Sequence, residues 1–233
     1  MRFGGVSYLN AKPLLQGLDP LVLDTPARLS ERFAAGEVDV ALLPVAAGEK
    51  SGRPRVGSLG IAARGAVESV LLFLADGISY PGDVRRVRLD PASRTSRALT
   101  MLLLKERWYA NAEIVETGPA DAELCIGDAA LQRVADHANA VDLAEEWWQH
   151  TGLPFVFAAW YGDPAAEPAL EAAYEESQNR GVNGYCARAA VNLKLDPIAL
   201  QRYLTTSIQF RIGAEEEAGL QRFVADATRL DLL

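Results

Sequence analysis

Cysteine is scarce: Cys125 and Cys186 are the only two in 233 residues. Neither belongs to a CxxC pair, so a zinc ribbon or dithiol redox centre has no support, and both read as reduced thiols among apolar neighbours. Histidine is as scarce, with His137 and His150 alone, and neither accompanies a nucleophile or a metal-binding motif. The chain has no HExxH, GxSxG, P-loop or GxGxxG, which leaves zinc hydrolysis, triad hydrolysis and dinucleotide chemistry without support. No window approaches the ~18 uninterrupted apolar residues of a membrane span. Basic runs and basic aromatic stripes are missing too. With 23 Lys and Arg against 31 Asp and Glu the formal charge is −8, a surface that repels nucleic acid and anionic membranes but leaves room for a locally cationic pocket. Neither is expected as a partner. The opening, MRFGGVSY, lacks the layout of a secretory signal, so a cytoplasmic location is expected.

What is present is ordinary for a soluble globular protein: 49% hydrophobic and 23% charged residues, enough to bury a core without disulfides or metal. Strand-like runs at 3–9, 21–23, 38–43, 67–75, 87–89, 113–116, 122–126 and 155–160 alternate with helical patterns. Helices are expected from Pro26 behind a Thr25 cap, from Ser93 onward, near 129–135, and over 141–149, 167–178, 198–204 and 214–230. This alternation gives an α/β class. The two long apolar strands at 67–75 and 155–160 bracket the middle of the chain. They are expected to cross between two lobes, one discontinuous (1–75 with 160–233) and one central (76–159), with a cleft where loops at strand ends meet.

Several polar residues stand at places where chemistry could be done. Ser93, Arg94, Thr95 and Ser96 open a helix, where free N–H groups, hydroxyls, a guanidinium and the positive dipole end suit a carboxylate or phosphate; a routine cap with a solvated arginine has the same sequence. Asn10 closes the first strand and can both donate and accept, or simply turn the chain before Pro13. Ser69 sits in an apolar strand and needs a partner, which neighbouring backbone could supply. Asp128, after Gly127, reads as a helix cap or a cleft acid. His137 reads as a surface turn, and His150 as a cation near a helix end. From residues alone the chain is a binding cleft for a small anion.

A succession of segments then resembles one family. GVSYLNAKPL at 5–14, VDVALLP at 38–44, GAVESV at 65–70, LDPASRTS at 89–96, IGD at 126–128, DLAEEW at 142–147, TGLPFVFA at 151–158 and YLTTSI at 203–208 are similar, in this order, to the chorismate dehydratase family of the futalosine route to menaquinone. The resemblance implies a two-lobed type II periplasmic-binding-protein-like fold with two hinge strands and a central cleft. It implies a hydro-lyase acting on the dicarboxylate chorismate, with no cofactor or metal. By resemblance, Asn10 and Ser69 are expected nearest the chemistry. Ser7, Pro44, Ser93, Arg94, Thr95, Ser96, Gly127 and Asp128 are expected to bind substrate, while Lys12 lies in a matching motif without an assigned direction. Two other readings stand beside it. The sister dihydroxynaphthoate synthase opens on a Cys-Pro-Asn-Asp type segment, where this chain has Ser7 to Asn10. A non-catalytic solute-binding protein would share the fold without the chemistry.

Overall fold

A computed structural model describes residues 1–136 and 139–233; His137 lies outside the described residues. The chain opens with β1 (Phe3–Val6), a 3-10 turn at Leu9–Ala11 and α1 (Lys12–Leu15). β2 (Leu21–Asp24), α2 (Pro26–Ala34), β3 (Val40–Pro44), α3 (Val45–Lys50) and β4 (Arg55–Ala63) follow. The middle holds β5 (Val70–Leu74), β6 (Arg86–Arg88), α4 (Arg94–Glu106), β7 (Glu113–Ile114), β8 (Ala122–Ile126), α5 (Gly127–Asp136), β9 (Ala140–Asp142) and α6 (Leu143–Thr151). The last third contains β10 (Phe155–Gly162), α7 (Glu167–Arg180), α8 (Asn183–Leu193) and α9 (Pro197–Arg202). A π-helical turn at Tyr203–Ser207, β11 (Gln209–Arg211) and α10 (Ala214–Arg229) complete it.

Two sheets result. The larger has six strands in the order β11-β4-β10-β3-β1-β2, the smaller five in the order β7-β6-β8-β5-β9. The chain leaves the first sheet after Ala63, enters the second at Val70, and returns to the first at Phe155. β5 therefore pairs only in the second sheet, antiparallel to β8 and β9, and β10 pairs along its whole length in the first, antiparallel to β3 and β4. Among the described residues no helix is long and apolar enough to cross a membrane.

Local chemistry accounts for the elements that frame the crossings. Thr25 is extended and Pro26 stands in the first turn of α2, as the fixed φ of proline favours. Ser93 caps α4, its hydroxyl accepting from the Ser96 N–H. Asp142 caps α6, accepting from the N–H groups of Ala144 and Glu145, and Gly152 ends that helix in the left-handed conformation. His150 lies in its last turn, as expected. Trp147 of α6, Phe155 of β10 and Phe223 of α10 meet edge to face at 5.0–6.2 Å between ring centres, which braces the return crossing.

β4, α8 and β11 depart from the sequence expectations. β4 is broken by glycines at 57 and 60, and Gly60 is there for space: a Cβ would stand 2.5 Å from the Ala158 carbonyl oxygen of β10. α8 buries only Cys186 fully, so it lacks an apolar stripe to read. β11 is three residues long. The helix expected over 141–149 starts two residues later, because Val141 and Asp142 still pair with β5 as strand residues.

Candidate functional site

A cavity of about 60 Å³ opens between the sheets. Its walls come from both sides: Val6, Tyr8 and Asn10 after β1, Pro44 at the end of β3, Ile61 of β4, and Phe157 and Ala158 of β10 from the first sheet. Ser93 and Ser96 of the α4 start, and Ile126 and Gly127 at the β8–α5 junction, face them from the second. Val67, Ser69 and Val70 of the outward crossing close one end. The strand ends explain the convergence, since the ends of β1, β3 and β8 bring Tyr8 and Asn10, Pro44 and Gly127 to the seam.

Ser69 is fully buried. Its hydroxyl accepts a hydrogen bond from the Tyr203 phenol at 2.8 Å, and its carbonyl accepts from the Gly127 N–H at 2.8 Å. Tyr203 is itself buried. Burial pushes its phenol up, while its hydrogen-bond contacts with the Ser69 and Asn10 side chains oppose that rise. Asn10 keeps a buried Oδ1 with no hydrogen-bond partner, an acceptor available to a ligand. Glu68, just before Ser69, has φ +63°, a left-handed value rare for a residue with a side chain. It is gripped on all sides: its N–H donates to Asp142 at 2.6 Å, and its carboxylate accepts from Ser207 at 2.5 Å and Arg202 at 2.9 Å.

The α4 start supplies the second polar patch. The Ser93 and Ser96 hydroxyls lie 3.1 Å apart, both in the cavity wall, at the N-terminus of α4, where the dipole favours negative charge. Thr95 turns away from the cavity: its hydroxyl accepts from the Ala46 N–H at 3.0 Å, tying α4 to α3 across the seam. Arg94 is exposed and lines a different surface pocket with Lys50 and Phe33.

The structure thus gathers Asn10, Pro44, Ser69, Ser93, Ser96 and Gly127 around one cavity and leaves four sequence candidates outside it. Alternation along the chain explains most of this. Tyr8 faces the cavity, so Ser7 faces out; Gly127 faces it, so Asp128 does not. Ser7, Asp128 and Lys12 line a neighbouring pocket on the other side of that wall. Asp128 is neither the cap nor the cleft acid that its position suggests. Its Oδ1 accepts from the Leu9 N–H at 3.0 Å and so holds the turn that carries Asn10, while burial raises its carboxyl. Tyr8 and Tyr203 were not singled out as site residues from the sequence; the only signals were their places in the segments 5–14 and 203–208. The Tyr8 ring packs against Gly127, and burial with nearby Asp90 and Asp128 pushes its phenol up to about 12.

Among the described residues the cavity wall contains no Asp, Glu, His, Lys or Arg, and no cluster elsewhere could hold a metal ion. Such a wall can donate hydrogen bonds, orient a flat apolar body and receive an anion at a helix start.

The sequence matches the menaquinone biosynthesis family over residues 1–229. A chorismate dehydratase of Thermus thermophilus is 31% identical, over 93% of this chain and 91% of that protein. One from Campylobacter jejuni is 26% identical over the whole of both. Among solved structures, a protein from Archaeoglobus fulgidus superposes with a TM-score of 0.69 at 15% identity, covering 100% of this chain and 98% of that one. A periplasmic aliphatic sulphonate binding protein from Escherichia coli gives 0.68 at 15%, covering 100% and 88%. The architecture is therefore periplasmic-binding-protein-like, two lobes about a cleft.

Proposed function

The chain belongs to the menaquinone biosynthesis family, and we infer that its interlobe cleft is the active site of a chorismate dehydratase. The reaction removes a proton from the ring carbon that bears the ether and a hydroxyl from its neighbour. The products are water and the aromatic 3-[(1-carboxyvinyl)oxy]benzoate. The observation that carries the reading is the composition of the wall: hydroxyls and one amide on an apolar surface, with no ionisable base other than the Tyr8 phenol among the described residues.

That wall suits this elimination because the substrate brings what the protein omits. The ring carboxylate activates the departing proton through the conjugated ring. Aromatisation drives the step, so positioning and charge placement are enough for catalysis. In this reading the α4 start, through Ser93 and Ser96, receives one carboxylate. Ser69 donates to the departing hydroxyl and Asn10 orients the substrate with its unpartnered oxygen. The substrate's own enolpyruvyl carboxylate takes the ring proton, and an analogue lacking that carboxylate should not turn over. The lobe boundaries that go with this reading lie at the crossings 64–69 and 152–154 in place of those expected after residue 75 and before residue 160, because β5 pairs within the second sheet and β10 within the first. The expected setting is the cytoplasm, where a soluble biosynthetic enzyme meets its dicarboxylate substrate.

The test is incubation of the purified protein with chorismate and detection of the aromatic enolpyruvyl ether. Wild-type protein should form it, and Asn10→Ala and Ser69→Ala should each lower kcat by about 100-fold, the scale of a lost donor at developing charge. Tight binding of chorismate without conversion would instead make the chain a binding protein.

A further inference from the structure

We propose that Tyr203 is a positioning residue that fixes Ser69 as a hydrogen-bond donor toward the substrate. This deepens the dehydratase reading and rests on it. A serine hydroxyl has one proton and can act as donor or acceptor toward a given neighbour. Tyr203 donates to the Ser69 oxygen at 2.8 Å, so the Ser69 proton is directed elsewhere. The serine lines the cleft, and among the described residues no other side chain takes that proton. The Asn10 side chain is a further neighbour of the same phenol. The polarity therefore runs one way: Tyr203 O–H to Ser69 oxygen, Ser69 O–H to the cleft. The Asn10 Oδ1 is left as the one acceptor without a partner in this group. A leaving hydroxyl needs a donor, and this chain of bonds presents one in a fixed orientation.

The backbone is built to keep it so. Tyr203 belongs to the π-helical turn Tyr203–Ser207, a distortion that re-aims side chains within a helix. This turn and the end of α9 before it reach the crossing three times, through Arg202 and Ser207 to the Glu68 carboxylate and through Tyr203 to Ser69. Glu68 at φ +63° is held in that conformation by these contacts and by Asp142. A tyrosine needed only as core filler would not require its neighbours to grip the residue next to the serine.

The experiment is a double-mutant cycle on turnover of chorismate by the full chain. Tyr203→Phe keeps the ring and removes the donor. It should lower kcat about tenfold or more while changing KM less than about threefold, the pattern of an interaction used mainly in the transition state. In a Ser69→Ala background the same change should alter kcat by less than about twofold. If Tyr203→Phe does not fold, Ser207→Ala, which loosens the grip on Glu68, should show the same dependence on Ser69 with a smaller loss. Equal losses in both backgrounds, or no loss of kcat in the wild-type background, would overturn the positioning role alone. Absence of turnover by wild-type protein would overturn the dehydratase reading and this role together.

Discussion

Asp128 shows how a side chain outside the cavity can serve a residue inside it. Its carboxylate accepts from the Leu9 N–H and fixes the turn bearing Asn10. Asp128→Ala is expected to lower kcat about fivefold, the effect of one lost hydrogen bond that orients a working group, and Asp128→Asn, which keeps an acceptor, should restore it. The stability effect has the opposite sign to that of a salt-bridged aspartate. Burial raises the carboxyl, with Leu9 and Lys12 opposing. The folded chain therefore holds this proton more readily than the unfolded one. The stability it contributes is complete below the ordinary carboxylate range and is lost as pH rises through the raised value. At neutral pH Asp128→Asn should melt no lower than wild type, checked by a thermal scan. Tyr8 gives a second expectation. Its phenol, at about 12, keeps its proton across the working range, and no other lining residue among those described is ionisable. The kcat for chorismate should therefore be flat between about pH 6 and pH 9; an inflection near about 6.5 or about 8.5 would instead implicate a histidine or cysteine. At this scale the sequence made Asn10, Ser69, Ser93 and Ser96 readable, since each is polar at the end or inside of an apolar element. Tyr203 was opaque, because an aromatic residue in a helical pattern looks like core whether or not its hydroxyl works.

At the scale of elements, one local device joins the outward crossing to α6. Asp142 ends β9, caps α6 through Ala144 and Glu145, and accepts from Glu68 in the outward crossing. One carboxylate thus ties the outward connection to the start of the helix that leads into the return. Asp142→Ala removes a helix cap and leaves the Glu68 N–H without its acceptor, so it should cost about 2 kcal/mol. Denaturant unfolding should show this as a lower midpoint with an unchanged slope. The sequence revealed only half of this role. Asp142 followed by Glu145 reads as a helix start, but nothing local announces a partner 74 positions away. The same limit explains the missed elements. β4 carries glycine where β10 approaches, which erases a strand signal for a tertiary reason, and α8 packs too little apolar surface to show a period. Elements whose form is fixed by their own residues, such as α2 behind Thr25 and Pro26 or the wholly buried β10, were legible.

For the whole molecule the question is how the lobes stay together over the cleft. Bonds between backbone and side chain cross the seam from Leu9 to Asp128, from Ala46 to Thr95 and from Gln132 to the Leu193 carbonyl. Both Thr95 and Ala46 are buried, so in the closed arrangement the Ala46 N–H has no water to turn to. Thr95→Val keeps the branched shape and removes the acceptor. The closed state then contains an unsatisfied donor, a cost of about 1–2 kcal/mol, whereas in an opened state water satisfies it. The closed population should fall relative to the open one by about 5- to 30-fold, and chorismate, which needs both walls, should bind correspondingly less well. The expected result is a raised KM with kcat within about twofold of wild type, and a larger radius of gyration for the ligand-free variant in solution scattering. The resemblance of the chain had placed Thr95 among the residues that hold a substrate carboxylate. If that were its work, the change would lower kcat along with affinity and leave the scattering of the ligand-free protein unaltered. The two measurements together therefore separate a residue that touches substrate from one that closes the lobes around it.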